Sequence, residues 1–131
     1  MSRVLAVDPG EVRIGLAVSD PLGIIARPLR VLQHTARPDD ARRVAQEARA
    51  VEAELIVVGV AYDQEGDIGP QARRNLRFVE ALRDATDLPV ETWDETETTQ
   101  RALELGGDDD QLDARAAAVM LQEYLDVKAR S

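Results

Sequence analysis

The hydrophobic pattern begins with two short apolar runs on either side of a tight turn. Residues 4–7 are apolar and lead into Asp8, and a second run occupies residues 14–18. Between them, Pro9 cannot donate a hydrogen bond to a sheet ladder and Gly10 tolerates a positive φ, so the backbone can turn sharply there. The pattern predicts a β-hairpin with the Asp8 carboxylate at one end of the sheet, although Asp-Pro-Gly is also ordinary turn chemistry.

A third extended segment and a first helix follow the hairpin. Residues 24–32 are mainly apolar but contain Pro28, which predicts a strand with a bulge or an exposed position at the proline. Apolar residues then recur every three or four positions between 39 and 52, and this spacing predicts an amphipathic helix. Asp39 or Asp40, which follow a proline, is the expected N-cap residue.

The middle of the chain has the alternation of strands and helices that is typical of a parallel sheet. Residues 55–60 (LIVVGV) are apolar and largely β-branched, as in strands that are buried on both faces. After a polar loop, a helix is expected to begin at Pro70, because proline is favoured in the first helical turn. Another strand is expected over residues 88–93, and Asp94 and Glu95 follow it. Two acids therefore stand at the end of a second strand.

The C-terminal part of the chain is predicted to be helical. A short helix is expected over residues 96–105, where two glycines end it before an acidic loop. A long helix follows over residues 111–129, with Asp113 in its first turn. The order is thus three strands, then helix, strand, helix, strand and two helices, which predicts an α/β fold. Its sheet would be five-stranded and mixed, with three antiparallel strands and then parallel strands, flanked by helices.

Length and composition limit the protein classes to be considered. With 131 residues, the chain is expected to form one domain that spans residues 1–131. It has no cysteine, which removes disulfides, thiolate zinc sites and thiol nucleophiles. No secretory signal pattern and no apolar run of about 20 residues are found, so the expected location is the cytoplasm, without membrane contact.

The charged and titratable residues give only weak indications of binding partners and catalytic groups. The chain has 25 acidic and 16 basic residues and a net charge of -9, which argues weakly against tight, sequence-blind binding of nucleic acid. The arginines are concentrated within residues 27–43 and 73–77, and either group could contact phosphate. The only histidine, His34, is interpreted as an ordinary loop residue, because a general-base histidine normally needs an orienting partner.

Four segments of the chain together resemble one protein family. They read VLAVDPGEVRIGLAVSD, IVVGVAYDQEG, VETWDETETT and LDARAAAVMLQEYLD, in this order and over nearly the whole chain. The chain thereby resembles the YqgF family, also called RuvX, within the group of RuvC-like resolvases. The order of predicted elements also matches the ribonuclease H-like fold, in which the acid-bearing ends of these elements converge at one end of the sheet.

The resemblance implies a set of functional residues. The catalytic, metal-binding carboxylates of the family would correspond to Asp8, Glu95 and Asp113, and Asp94 lies beside them. Contact with substrate phosphate is implied for Arg13, Thr98 and Thr99, and Arg73 in the second arginine group is a further substrate-binding candidate.

Carboxylates at these positions suit metal-dependent hydrolysis. Mg²⁺ and Mn²⁺ prefer oxygen ligands, and two such ions about 3.5–4 Å apart can activate the attacking water and stabilise the leaving oxygen. Simpler explanations exist for single acids, since Asp94 fits a helix-capping box and Asp113 fits compensation of a helix dipole. The coincidence of three acids at the positions that one site requires favours a two-metal site for Mg²⁺ or Mn²⁺.

The chain departs from the family pattern mainly where relatives are basic. Glu11 replaces the usual lysine, Val60-Ala61 replaces Leu-Pro, and Thr96 replaces the arginine after Asp-Glu. Residues 106–111 are short and acidic where relatives are commonly basic. Phosphate contacts should therefore be fewer, and nucleic-acid binding is expected to be weak and strongly dependent on salt.

The leading hypothesis is a divalent-metal-dependent endonuclease that acts on structured RNA or branched DNA. It would trim the 5′ end of precursor 16S rRNA or, alternatively, resolve Holliday junctions in recombination and repair. A resolvase that cuts two strands symmetrically is expected to be a two-fold homodimer. Two non-nuclease hypotheses stay open: a nucleotide-binding, kinase-like domain, which usually needs a second domain, and a non-catalytic nucleic-acid-binding protein, against which the retained acids argue.

Overall fold

The protein is built around one mixed β-sheet with helices on both faces. A computed structural model describes residues 3–95 and 112–130. Its strands are β1 (Arg3–Pro9), β2 (Arg13–Ser19), β3 (Ala26–Gln33), β4 (Ala53–Val60) and β5 (Val90–Asp94). The helices within the described residues are α1 (Arg37–Ala50), α2 (Pro70–Ala85) and α3 (Leu112–Ala129).

The sheet has the strand order β3-β2-β1-β4-β5. β1, β2 and β3 pair in antiparallel fashion, whereas β4 pairs parallel with β1, and β5 pairs parallel with β4. The predicted α/β class is confirmed, with a five-stranded mixed sheet in which antiparallel strands precede parallel ones. Parallel pairing brings the carboxyl ends of β1, β4 and β5 to the same edge of the sheet.

The two faces of the sheet carry separate hydrophobic clusters, because alternate residues of a strand point to opposite faces. In β1, Leu5 and Val7 belong to the cluster that packs against α1 and α2. Val4 and Ala6 belong to the cluster under α3. The residues of α3 in that second cluster are Ala117, Met120, Leu121, Tyr124 and Leu125.

The start of α1 corrects the predicted N-cap. The helix begins at Arg37, its N-cap is Ala36 and it has no side-chain cap, so neither Asp39 nor Asp40 fills that position. Pro38 takes a place in the first turn, where its fixed φ is compatible with a helix. Asp40 is inside the helix, and its carboxylate accepts a hydrogen bond from the Thr35 amide at 3.0 Å.

The edge strand β3 contains the predicted irregularity at Pro28. Pro28 pairs with Ala17, and the register of β2 and β3 shifts between Leu16 and Ala17. An edge strand tolerates proline because one side of its backbone has no neighbouring strand to bond. Elsewhere the predicted strand boundaries differ by one or two residues, and the predicted helix at 96–105 and the acidic loop at 106–111 lie outside the described residues.

No helix in the described part of the chain combines the length and the apolar character needed to cross a membrane.

Candidate active site

Asp8 lies near the end of β1, on the face of the sheet that α3 covers. It follows Val4 and Ala6 at steps of two residues, so its side chain is on the α3 face with theirs. Asp8 is only 9% exposed. The hairpin turn begins directly after β1, where the Gly10 amide donates a hydrogen bond to the Arg13 carbonyl at 3.0 Å. The end of the strand therefore holds a carboxylate under a helix instead of in solvent.

Gly15 brings the first turn of α3 onto the sheet next to Asp8. Gly15 is the β2 residue that pairs with Asp8. A Cβ atom at Gly15 would approach the Asp113 carbonyl oxygen and the Ala114 nitrogen to less than 3.0 Å. Because no side chain separates the two backbones, Asp113 reaches the strand position opposite Asp8.

Gly59 makes the corresponding space for Glu95. Glu95 follows β5, and its amide donates a hydrogen bond to the Val60 carbonyl at 3.2 Å. A Cβ atom at Gly59 would come within 3.0 Å of the Glu95 carboxylate and of Met120 Sδ. Glu95 is 2% exposed, so its carboxylate is enclosed between β4 and α3.

Asp8 and Glu95 form a buried carboxyl pair. Their side chains are hydrogen-bonded to each other, which requires a proton on one of them. Burial raises the pKa of Asp8 above its ordinary value, the hydrogen bond with Glu95 partly offsets this, and the charge of Asp113 adds to it. Burial, followed by the negative charge of Asp8, raises the pKa of Glu95 well above its ordinary value. Such mutual shifts are typical of carboxylates that share a site.

Asp113 is paired with Arg13, which was expected to contact substrate phosphate. Arg13 Nε lies 3.0 Å from Asp113 Oδ2, and the two side chains are 38% and 27% exposed. The arginine is therefore beside the acids, as the sequence suggests. Its partner in this structure is one of those acids.

The acids fit a hard divalent cation in donor type, since every candidate ligand is a carboxylate oxygen. A cation bound by Asp8 and Glu95 would displace the proton that their hydrogen bond requires. Among residues 3–95 and 112–130, however, no group of three or more His, Cys, Asp or Glu side chains is arranged to hold a metal ion.

Of the remaining predicted site residues, one lies beside the buried acids, one lies on α2, and two lie outside the described residues. Asp94 is the last residue of β5 and is exposed, one position before Glu95. Arg73 is exposed on α2, one residue before Arg74, which forms an ion pair with Glu11 at 2.6 Å. Thr98 and Thr99 lie outside the described residues.

Sequence reasoning missed the two glycines and the ion pair between Arg74 and Glu11. Gly15 and Gly59 interrupt otherwise apolar strands. A glycine inside a strand commonly marks a close approach of another backbone or group, so this signal was available. Arg74 carries no such signal, because its proximity to Glu11 depends on how α2 packs beside the hairpin turn.

His34 has the orienting partner that the sequence does not identify. Its Nδ1 is hydrogen-bonded to Asp40 Oδ2, and its amide donates to the Val12 carbonyl at 2.9 Å. Asp40 is almost completely buried and also accepts hydrogen bonds from Thr35. The interpretation of His34 as an ordinary loop residue is therefore incomplete.

Comparison with known proteins gives a consistent family match. The family model described as "RuvX: Holliday junction resolvase" matches residues 2–127. A protein of Desulforamulus reducens named "Putative pre-16S rRNA nuclease" is 36% identical over 136 residues, which cover 98% of this chain and 99% of the relative. A protein of the same name from an Anaeromyxobacter species is 40% identical over 132 residues, which cover 95% of this chain and 96% of the relative.

Similarity to solved structures confirms the predicted fold. The structure described as T. thermophilus RuvC in complex with Holliday junction substrate superposes with a TM-score of 0.63 and 18% identity. The match covers 98% of this chain and 96% of that one. At this identity the likeness concerns the fold, which is the ribonuclease H-like fold of RuvC-type proteins.

Proposed function

The chain belongs to the RuvX family, and from this premise we propose that it is a divalent-metal-dependent endonuclease that hydrolyses phosphodiester bonds in nucleic acid. The proposed substrate is the 5′ region of precursor 16S rRNA, as the names of the relatives suggest. The proposed location is the cytoplasm, where the enzyme would have access to such a precursor.

One observation supports the proposal: three carboxylates from distant parts of the chain lie near one another at one end of the sheet, close enough for Asp113 to act on the other two through its charge. Asp8 comes from β1, Glu95 follows β5, and Asp113 belongs to the first turn of α3. Asp8 and Glu95 are hydrogen-bonded, and Asp113 raises the pKa of Asp8 and of Glu95 through its charge. A fold gains nothing in stability from burying like charges together, so their accumulation favours a functional explanation.

The proposed catalytic group consists of Asp8, Glu95 and Asp113, with Asp94 at its exposed edge. A bound Mg²⁺ or Mn²⁺ pair would supply charge stabilisation and an activated water. The chain itself would hold the carboxylates in a partly enclosed place and exclude bulk water through α3. Arg13, which pairs with Asp113, would exchange this carboxylate for a substrate phosphate, since a guanidinium binds either group in the same geometry. Thr98, Thr99 and Arg73 stay proposed substrate-binding residues.

The test is cleavage of a labelled precursor-rRNA fragment with a 5′ extension, in Mn²⁺, Mg²⁺ or EDTA. We expect cutting only with metal, and a loss of at least about a hundredfold in Asp8→Asn, since several kcal/mol of charge stabilisation depend on the acids. Asp84→Asn is the matched control, because Asp84 is an exposed acid on α2. Metal-independent cutting, or normal cutting by Asp8→Asn, would contradict the proposal.

Holliday-junction resolution is the second candidate function. It is favoured by the description of the matching family and by the likeness to a RuvC structure with junction DNA. A four-way DNA junction assayed in parallel with the rRNA fragment decides between the two substrates. Symmetric cutting needs a two-fold dimer, so a monomer by light scattering in the presence of junction DNA would count against resolution.

A further inference from the structure

Two neighbouring cavities lie at the hairpin turn that follows Asp8. The first, of about 410 Å³, reaches Arg13 and Asp113. The second, also of about 410 Å³, is lined by His34 and is called the His34 cavity below. Both are bounded by Gly10, Glu11 and Arg74. A path along the surface therefore connects the proposed catalytic group with the His34 cavity.

We propose that the His34 cavity binds an unpaired nucleotide of the nucleic-acid substrate, adjacent to the phosphodiester that is cut. The inference rests on the proposed nuclease function and adds a binding site to it. Its physical basis is an apolar floor, two arginines at the rim, an oriented histidine and the short path to the carboxylates.

The floor of the His34 cavity suits a nucleobase. Ile14 and Phe78 line it and are 2% and 6% exposed. Ala36 and Pro38 add further apolar surface at the start of α1. Nucleobases are flat and largely apolar on their faces, and they stack on such surfaces without sequence preference. A volume of about 410 Å³ is within the roughly 300–1,000 Å³ of small-molecule sites.

The rim supplies charge for a phosphate. Arg37 is exposed in the first turn of α1, and Arg74 projects from α2 with 43% of its side chain exposed. Guanidinium groups match phosphate geometry and keep their charge at every physiological pH. Glu11 also lines the cavity and pairs with Arg74 at 2.6 Å, so Arg37 supplies the exposed positive charge and Arg74 would exchange Glu11 for a strand phosphate.

The polar groups inside the cavity divide into structural and available ones. Asn75 is structural, because its amide accepts from the Ala61 amide at 2.9 Å and donates to the Pro9 carbonyl at 3.2 Å. His34 is held through Nδ1 by Asp40, so a base edge in the cavity would contact Nε2. An imidazole nitrogen can accept or donate there, according to its protonation.

The cavity favours an unpaired nucleotide over a duplex, because only an unpaired base can enter it. In a duplex, the bases are paired and stacked, and their faces cannot reach an enclosed apolar floor unless the nucleotide is extruded. A single-stranded extension or a junction with unpaired positions can place one base in the cavity while the backbone continues past Arg74 to Arg13.

The direct test fills the cavity and measures binding. Ala36→Trp places an indole at an exposed N-cap position with extended backbone, so the fold should tolerate it. Ala50→Trp at the opposite end of α1 is the matched control. Fluorescence anisotropy in EDTA would compare labelled unpaired RNA, unpaired DNA of the same sequence, and the two duplexes. RNA and DNA together show whether the 2′-hydroxyl contributes.

We expect Ala36→Trp to bind unpaired strands about tenfold more weakly than the wild type, the order of one lost stacking contact, with little change for duplexes. A second variant does not depend on filling the cavity: Arg37→Ala should lower the salt dependence of binding by about one phosphate contact. Arg49 is an exposed arginine at the far end of α1, and Arg49→Ala should leave the salt dependence of binding unchanged.

The outcomes separate the two proposals. If the wild type cuts its substrate but Ala36→Trp and Arg37→Ala bind unpaired strands as it does, the cavity proposal is overturned and the nuclease function stands. Equal weakening for unpaired strands and duplexes would also overturn it. If the wild type neither binds nor cuts any of the nucleic acids, both proposals fail.

Discussion

Two glycines decide whether the three carboxylates can meet. Gly15 lets the backbone of Asp113 lie against β2, and Gly59 leaves room for the Glu95 carboxylate beneath Met120. Any side chain at these positions would occupy the volume that the acids and α3 now fill. The proposed catalytic group thus depends on residues that carry no functional atoms.

Gly59→Ala should therefore destabilise the protein and impair cutting. The added methyl group would overlap the Glu95 carboxylate, and overpacking of this kind costs about 1–3 kcal/mol. Gly69→Ala is the matched control, because its Cβ would meet only Asp63 at 3.7 Å, and we expect a change within about 1 kcal/mol. Urea unfolding measures both, and equal effects of the two variants would contradict the close contact.

Glu95→Gln should stabilise the metal-free protein while abolishing cutting. Burial and the negative charge of Asp8 raise the pKa of Glu95, which means that the folded protein is penalised when Glu95 is charged. A neutral side chain of the same size removes that penalty. In thermal unfolding at pH 8 in EDTA, Glu95→Gln should have a higher Tm than the wild type. Glu54→Gln, which changes an exposed residue, should have the same Tm as the wild type. An unchanged or lower Tm for Glu95→Gln would argue against repulsion in the pair.

At the level of elements, the start of α1 is held by a side chain from within the helix. The Asp40 carboxylate accepts hydrogen bonds from the Thr35 amide and hydroxyl and pairs with Arg43 and His34. These hydrogen bonds fix the segment before the helix to its first turn, which has no side-chain N-cap. The same contacts orient His34 in the cavity.

Asp40→Asn should cost about 1–3 kcal/mol at neutral pH, because a buried hydrogen-bonded charge is lost. Burial raises the pKa of Asp40, but the hydrogen bonds of Thr35 and the contacts with His34 and Arg43 outweigh it, so the pKa lies below its ordinary value of 3.8. The stabilisation is then fully present above about pH 4 and is lost as the pH falls through the folded pKa.

Unfolding free energies between pH 7 and pH 2.5 test the Asp40 prediction. The gap between wild type and Asp40→Asn should stay constant down to about pH 4 and narrow below it. Asp39→Asn is the control, since Asp39 is an exposed neighbour that pairs only with Arg42 among the described ion pairs. A gap that is independent of pH would show that the Asp40 charge contributes nothing.

At the scale of the whole molecule, an acidic chain has to hold an anionic substrate. The net charge is -9, and the sequence predicts weak, salt-dependent binding on that ground. The structure adds a local reason for weak binding, because Glu11 pairs with Arg74 between the two cavities and neutralises its charge.

Glu11→Gln should tighten nucleic-acid binding severalfold at low salt, since it releases Arg74 and removes one negative charge from the path of the strand. The gain should disappear at about 0.5 M salt, where screening acts over only a few ångströms. Glu54→Gln changes the net charge equally at the start of β4, away from the site. If both variants gain the same affinity, only net charge matters and the Glu11–Arg74 pair has no local role.

Most of the fold could be predicted from local pattern. The change from period two to period three or four separates strands from helices, and Pro70 marks the start of α2 correctly. The wholly apolar run at residues 55–60 of β4 indicates the central parallel part of the sheet. The predicted N-cap of α1 is wrong, because Asp40 lies inside the helix. It holds the helix start through side-chain contacts with Thr35, His34 and Arg43, three to six residues away, and not through an N-cap hydrogen bond.

The sequence by itself determined the elements that the structure describes, their order, the resemblance to the family and which acids are candidates at the strand and helix ends. Only the tertiary structure decided that Arg13 pairs with Asp113, that Asp40 orients His34, and that Arg74 reaches Glu11 beside a cavity. The reason is physical. Periodicity and turn residues depend on neighbours within a few positions, whereas Arg13–Asp113 and Arg74–Glu11 join residues from separate elements that meet only when the helices pack on the sheet. His34 and Asp40 are only six residues apart, but their contact depends on how the chain turns from β3 into α1, which periodicity does not specify.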